Sequence, residues 1–70
     1  MNNQELRKKR MRMILSLIIK DGLVDKEKLL SLISYEWGVA RRTGLEYLRT
    51  LETAGKIKFN SEGFIIIKTS

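Results

Sequence analysis

The side chains with most chemistry to offer are guanidinium groups. Arg41, Arg42 and Arg49 stand in a stretch, Val39 to Ile57, whose spacing predicts a helix opened by a turn and stopped by Gly55. Leu48 and Leu51 lie three apart, with Ala40, Gly44 and Ala54 near the same line, so one stripe is apolar or small. Arg41, Arg42, Thr43, Glu46, Arg49 and Thr50 fall outside that stripe. A helix built this way buries one face and presents the other, and a guanidinium-rich face suits nucleic acid.

Much other chemistry is excluded at once. The chain has no cysteine and no histidine, which removes disulfides, Cys/His zinc sites, thiol nucleophiles and histidine acid–base work. Asp21, Asp25 and Glu27 are near neighbours, but with Lys26 and Lys28 among them they read as helix-start electrostatics rather than an acid–base pair. No glycine-rich phosphate loop is present. The expectation is a binding module, not an enzyme, with no cofactor and no metal.

Seventy residues suffice for one domain, 1–70, near the lower size for a self-sufficient core. The net charge is +6, which favours polyanions: nucleic acid first, an anionic membrane second. Residues 1–20 carry six basic and one acidic residue, residues 21–40 two and four, and residues 41–70 six and three. Positive charge therefore sits in two blocks around an acidic middle. The apolar run Met13 to Ile19 is too short to span a bilayer and has no cleavage site after it, so the cytoplasm is the expected location.

The elements that must position the arginines follow in order. Met1 to Lys20 reads as a helix, with Asn2 or Asn3 as its cap and Gly22 as its end. Its apolar residues cover well over half the circumference, more than one core contact needs. A homodimer seam through the Met11, Ile14, Leu15, Ile18 region is the economical explanation, and a helix wrapped on several sides is the other. The crowded Arg7, Lys8, Lys9, Arg10 and Arg12 make residues 1–12 either a projecting helix start or a basic arm. Gly22-Leu23-Val24 is a short extended link or single-bridge strand, and Asp25 caps a helix from Lys26 to about Glu36 with Leu29, Leu30 and Ile33 as core. Trp37-Gly38-Val39 makes a tight turn into the arginine-bearing helix, giving a helix-turn-helix unit. Alternation at Ile57 and Phe59, turn chemistry at Asn60 to Gly63 and a β-branched run from Phe64 to Thr69 predict a hairpin. Ile65 to Ile67 put apolar groups on both of its faces.

The segment GVARRTGLEYLRTLETAGKIKF, residues 38–59, resembles the core of winged helix-turn-helix regulators from bacteria and archaea. The matching positions are Gly38, Thr43, Tyr47-Leu48, Leu51, Ala54-Gly55 and Ile57, and the likeness extends over about Leu23 to Lys68. It implies an α+β, mostly α fold in the order α1-β1-α2-α3-β2-β3. There are two departures. Ala40 stands where Ser or Thr usually caps the recognition helix, a loss of roughly 1 kcal/mol. Gly44 stands where an apolar core residue is usual, and mid-helix glycine costs roughly 1 kcal/mol against alanine.

The resemblance also implies roles. The first turn of the recognition helix enters the major groove, where Arg41 and Arg42 can chelate guanine O6 and N7 or hold phosphate. Thr43, Glu46 and Arg49 line the same side; Glu46 either accepts from cytosine N4 or pairs with a neighbouring arginine. Tyr47 is either packing or a phosphate contact. Lys56, Lys58 and Lys68 touch phosphate or the minor groove from the hairpin, and Arg7, Lys8, Arg10 and Arg12 bind flanking phosphates or remain solvated. The expected partners are double-stranded DNA and a second copy of the chain, with no membrane. The expected role is transcriptional regulation, against the alternative of a winged-helix protein–protein adaptor.

Overall fold

A computed structural model describes residues 3–67. It is an α+β fold of three helices and a three-stranded antiparallel sheet: α1 (Asn3–Asp21), β1 (Leu23–Asp25), α2 (Lys26–Trp37), α3 (Arg41–Thr53), β2 (Ile57–Phe59) and β3 (Phe64–Ile67). The expected readings of Met1, Asn2, Lys68 and Thr69 fall outside the described residues.

Local chemistry explains the element ends. The Asp25 carboxylate accepts from the backbone N–H of Glu27 at 2.8 Å and of Lys28 at 3.2 Å, covering two of the bare donors that open α2. Ala40 gives α3 no such cap, as its side chain requires. The far end of α3 is closed by backbone instead. The Gly55 N–H donates to Glu52 O and the Lys56 N–H to Leu51 O, both at 2.9 Å, the paired pattern of a Schellman stop. Gly55 sits at φ +76°, where a side chain would be strained. In the hairpin turn, Asn60 Oδ1 accepts from the N–H groups of Glu62 and Phe64, both at 2.9 Å.

The sheet order is β1-β3-β2, with β3 central. Leu23 to Asp25 form a full three-residue strand, more than the single bridge that the sequence suggests. The register pairs Val24 with Ile65 and Ile65 with Phe59, and it pairs Leu23 with Ile66 and Ile66 with Lys58. Successive strand residues alternate faces, so Val24, Ile57, Phe59, Ile65 and Ile67 share the inner face. Leu23, Lys58, Phe64 and Ile66 share the outer one.

The core gathers Ile14 and Ile18 from α1, Leu29, Leu30 and Ile33 from α2, Tyr47, Leu48 and Leu51 from α3, and Val24, Ile57 and Ile65 from the sheet. Two expectations need correction here. Ile14 is 2% exposed and Ile18 0%, so both are taken by this chain's own core and neither can line a seam with another copy. Met11 and Leu15 are half-buried against the same core, whereas Leu6, Met13 and Ile19 are the large exposed apolar residues of α1. On α3, Ala40 and Ala54 are exposed, and the buried stripe is Gly44, Tyr47, Leu48 and Leu51.

At Gly44, α3 packs tightly on α2. A Cβ there would lie 3.0 Å from Leu30 Cδ2 and 3.5 Å from Ile33 Cγ2. The missing side chain lets the two helices seat against each other, which fixes how α3 is presented.

Candidate functional site

With the line through Gly44, Leu48 and Leu51 against the core, α3 turns its opposite side to solvent. At about 100° per residue, Arg42, Glu46, Arg49 and Thr53 form one outward stripe, and all four are exposed. No ion pair holds Arg42 or Arg49 among the described residues. Glu46 makes neither of its expected side-chain pairs; its main-chain carbonyl accepts from Thr50 Oγ1 at 2.9 Å. Thr43 is half-buried on the flank nearer α1.

Arg41 points elsewhere. It lies about 100° round the helix from Arg42 and reaches across to the first turn of α2. Its Nη2 donates to Glu27 Oε2 at 2.7 Å and its Nε to Glu27 Oε1 at 3.3 Å, a two-pronged contact with both side chains more than half exposed. The hydrogen bond from Arg41 is the main cause holding the Glu27 carboxyl below the usual glutamate range, and the same bond raises Arg41. Glu27 has a role that its sequence neighbourhood, all helix-start charge, does not reveal.

The start of α1 is docked, not free. Arg7 Nη2 donates to Thr50 Oγ1 at 3.0 Å, and its guanidinium carbon lies 5.6 Å from the centre of the Tyr47 ring. Arg10 Nη1 donates to the Tyr47 hydroxyl at 3.1 Å and stacks 5.2 Å from the centre of the Trp37 ring. Trp37 and Tyr47 meet edge to face at 6.2 Å. Guanidinium and ring therefore alternate through Trp37, Arg10, Tyr47 and Arg7, tying the end of α2, the first half of α1 and the middle of α3 together. A loose basic arm running through Arg10 is thereby corrected. So is the solvent-facing phosphate contact at Tyr47, which is only 6% exposed and whose hydroxyl is taken by Arg10. Lys8 and Arg12 are exposed and lie away from the line of Ile14 and Ile18 that packs inward; Arg7, on that line, is exposed too but held by Thr50.

The hairpin lysines are divided. Lys56 follows Gly55 at the end of α3, and Lys58 is on the outer face of the sheet beside Ile66. The structure thus gathers Arg42, Glu46 and Arg49, puts Arg41 on an adjoining shoulder, and keeps Lys58 on a face turned from the helices.

An apolar groove of about 200 Å³ runs between α1 and α2, its lining including Met13, Leu17, Leu29, Leu32, Glu36 and Trp37. Among the described residues no group of three or more acidic side chains is placed to hold a metal ion, and no helix is long and apolar enough to cross a membrane. Comparison of the chain with protein-family models, curated proteins and solved structures finds no match.

Proposed function

We propose that this protein is a winged helix-turn-helix DNA-binding module that acts in the cytoplasm as a transcriptional regulator, without enzymatic activity. The outward stripe of α3 is the observation that carries this reading. Arg42 and Arg49 lie seven residues apart on a helix whose other side is buried at Gly44, Tyr47, Leu48 and Leu51, and neither has an ion-pair partner among the described residues. Such a helix fits the major groove, with Arg42, Glu46 and Arg49 toward base edges. The element order supports the winged helix, β2 and β3 being the wing. The net charge of +6 supplies attraction to phosphate, through Lys8, Arg12 and Lys56 on exposed surface.

Titration of random-sequence duplex DNA at two salt concentrations tests this. Affinity should fall steeply with salt. Arg42→Ala with Arg49→Ala should weaken binding and flatten the slope of log affinity against log salt by about 0.9 for each phosphate no longer neutralised. Absence of binding at low salt would refute it. The groove between α1 and α2 favours the second reading, a winged-helix adaptor for another protein, and that is the reading such a result would leave.

The α1 surface also supports a homodimer. Leu6 and Met13 are exposed on the flank of α1 beside the groove, with Leu17 half-buried below them. Two copies joined there would cover this flank in place of the seam through Ile14 and Ile18. Sedimentation should give twice the chain mass, and Met13→Glu should lower it; a monomer at high concentration removes the dimer.

A further inference from the structure

We infer that Glu27 is a positioning residue that holds Arg41 as a reader of guanine and turns it away from phosphate. This rests on the DNA-binding reading and deepens it. A guanidinium has two forks, one formed by the Nε and Nη2 hydrogens and one by the Nη1 and Nη2 hydrogens. Glu27 occupies the first through Nε at 3.3 Å and Nη2 at 2.7 Å. The second fork stays open, and two parallel donors are what the O6 and N7 acceptors of guanine require.

The same carboxylate discriminates between ligands. A phosphate approaching the open fork is repelled by the negative charge of Glu27 beside it, and the acceptor edge of a neutral base is repelled less. Arg42 and Arg49 carry no such neighbour in an ion pair and remain able to take either. Glu27 comes from the first turn of α2, which the Asp25 cap fixes, and Arg41 from the first turn of α3. The Glu27 end of the contact is thus anchored by the cap, and the bridge sets the direction of the guanidinium. An exposed ion pair adds little to folding, so its consequence is orientation.

The test selects bound molecules from a randomised duplex pool with the wild type, Glu27→Gln, Arg41→Ala and the double variant. The wild type should enrich a guanine at one position, and Arg41→Ala should lose that preference. Glu27→Gln should relax the same position by about tenfold, leave the other positions unchanged, and bind random duplex more tightly at low salt. In the Arg41→Ala background, Glu27→Gln should leave base preference unaltered. Circular dichroism spectra that match the wild type will show that the exposed substitutions leave the fold intact. A Glu27→Gln profile equal to that of the wild type overturns the inference, and so does an Arg41→Ala profile that keeps every guanine. A wild type that binds random duplex in a salt-dependent way but enriches no sequence also overturns it, while leaving DNA binding standing. A wild type that binds no duplex removes both.

Discussion

Gly44→Ala separates two opposed effects at one atom. Glycine in the interior of a helix costs roughly 1 kcal/mol relative to alanine, so on α3 taken alone the change should stabilise. The new Cβ, however, would stand 3.0 Å from Leu30 Cδ2, when carbon pairs rest at about 3.5–4.0 Å. Leu30 is 1% exposed and walled in by the core, so it has little space to move into. Forcing an extra carbon into a packed interior costs about 1–3 kcal/mol. The steric cost should prevail, for a net loss of about 1 kcal/mol. At a urea dependence of roughly 1 kcal/mol per molar for a small domain, the midpoint should fall by about 1 M. Leu30→Val removes the colliding carbon while leaving an apolar residue. In that background only the ordinary 3.5 Å approach to Ile33 remains, and Gly44→Ala should stabilise. The sign should therefore reverse between backgrounds, a coupling of about 1–2 kcal/mol. A Gly44→Ala variant that gains roughly 1 kcal/mol in the wild type would refute the close approach of α2 and α3. Equal shifts in both backgrounds would show that Leu30 is not its cause.

Other outcomes follow from the same contacts. Asp25→Ala removes the acceptor for two backbone N–H groups and should cost about 1 kcal/mol by urea unfolding, with Asp25→Asn costing much less. Tyr47→Phe keeps the ring but loses the acceptor for Arg10. A double-mutant cycle with Arg10→Ala should give a coupling of about 1 kcal/mol, and a value near zero would mean that the hydrogen bond contributes nothing. The Glu27 carboxyl is lowered in the folded chain, so it binds protons less readily there than when unfolded. Its contribution to stability should be fully present above the usual glutamate range and lost as pH falls through the lowered folded value. The difference in stability between wild type and Glu27→Gln, followed from neutral pH into acid, should shrink in that window; a difference independent of pH would refute the link.

The elements were legible because their signals are local. Asp25 before a helical period, Gly38 and Gly55 at helix ends, and the alternation of Ile57 and Phe59 are each read within a few residues. Gly44, one of the two positions where the chain departs from the pattern it resembles, seats α3 against Leu30 and Ile33 of α2. What escaped depends on distant partners. Leu23 to Asp25 become a full strand only because β3, some forty positions on, runs between them and β2. The wide apolar surface of α1 left open whether Ile14 and Ile18 met another copy or this chain's own core, and the sheet and α3 take both. Arg7 lies on the helical line of those isoleucines yet is exposed, and nothing local indicates that Thr50 and Tyr47 receive it.

These contacts change what the positive charge means. A count of basic residues treats every arginine as available to a polyanion, yet Arg7, Arg10 and Arg41 are each held by this chain's own acceptors. Arg7 and Arg10 orient α3 from behind, and Arg41 is fixed at its entrance by Glu27. Arg42 and Arg49 are left on the outward stripe, with Lys8 and Arg12 on the exposed side of α1. If duplex DNA is the ligand, Lys8 and Arg12 set affinity and its decline with salt, Arg41, Arg42 and Arg49 face the groove, and Arg7 and Arg10 set the attitude of the reading helix. Substitution at Arg10 should then alter stability and base preference together, because α3 loses a brace. Substitution at Arg12 should lower affinity alike for every sequence and leave the urea midpoint where it was. If Arg10→Ala and Arg12→Ala instead weaken binding equally and both leave stability unchanged, the two residues are equivalent phosphate ligands, and the division of the arginines into braces and DNA-facing groups is wrong.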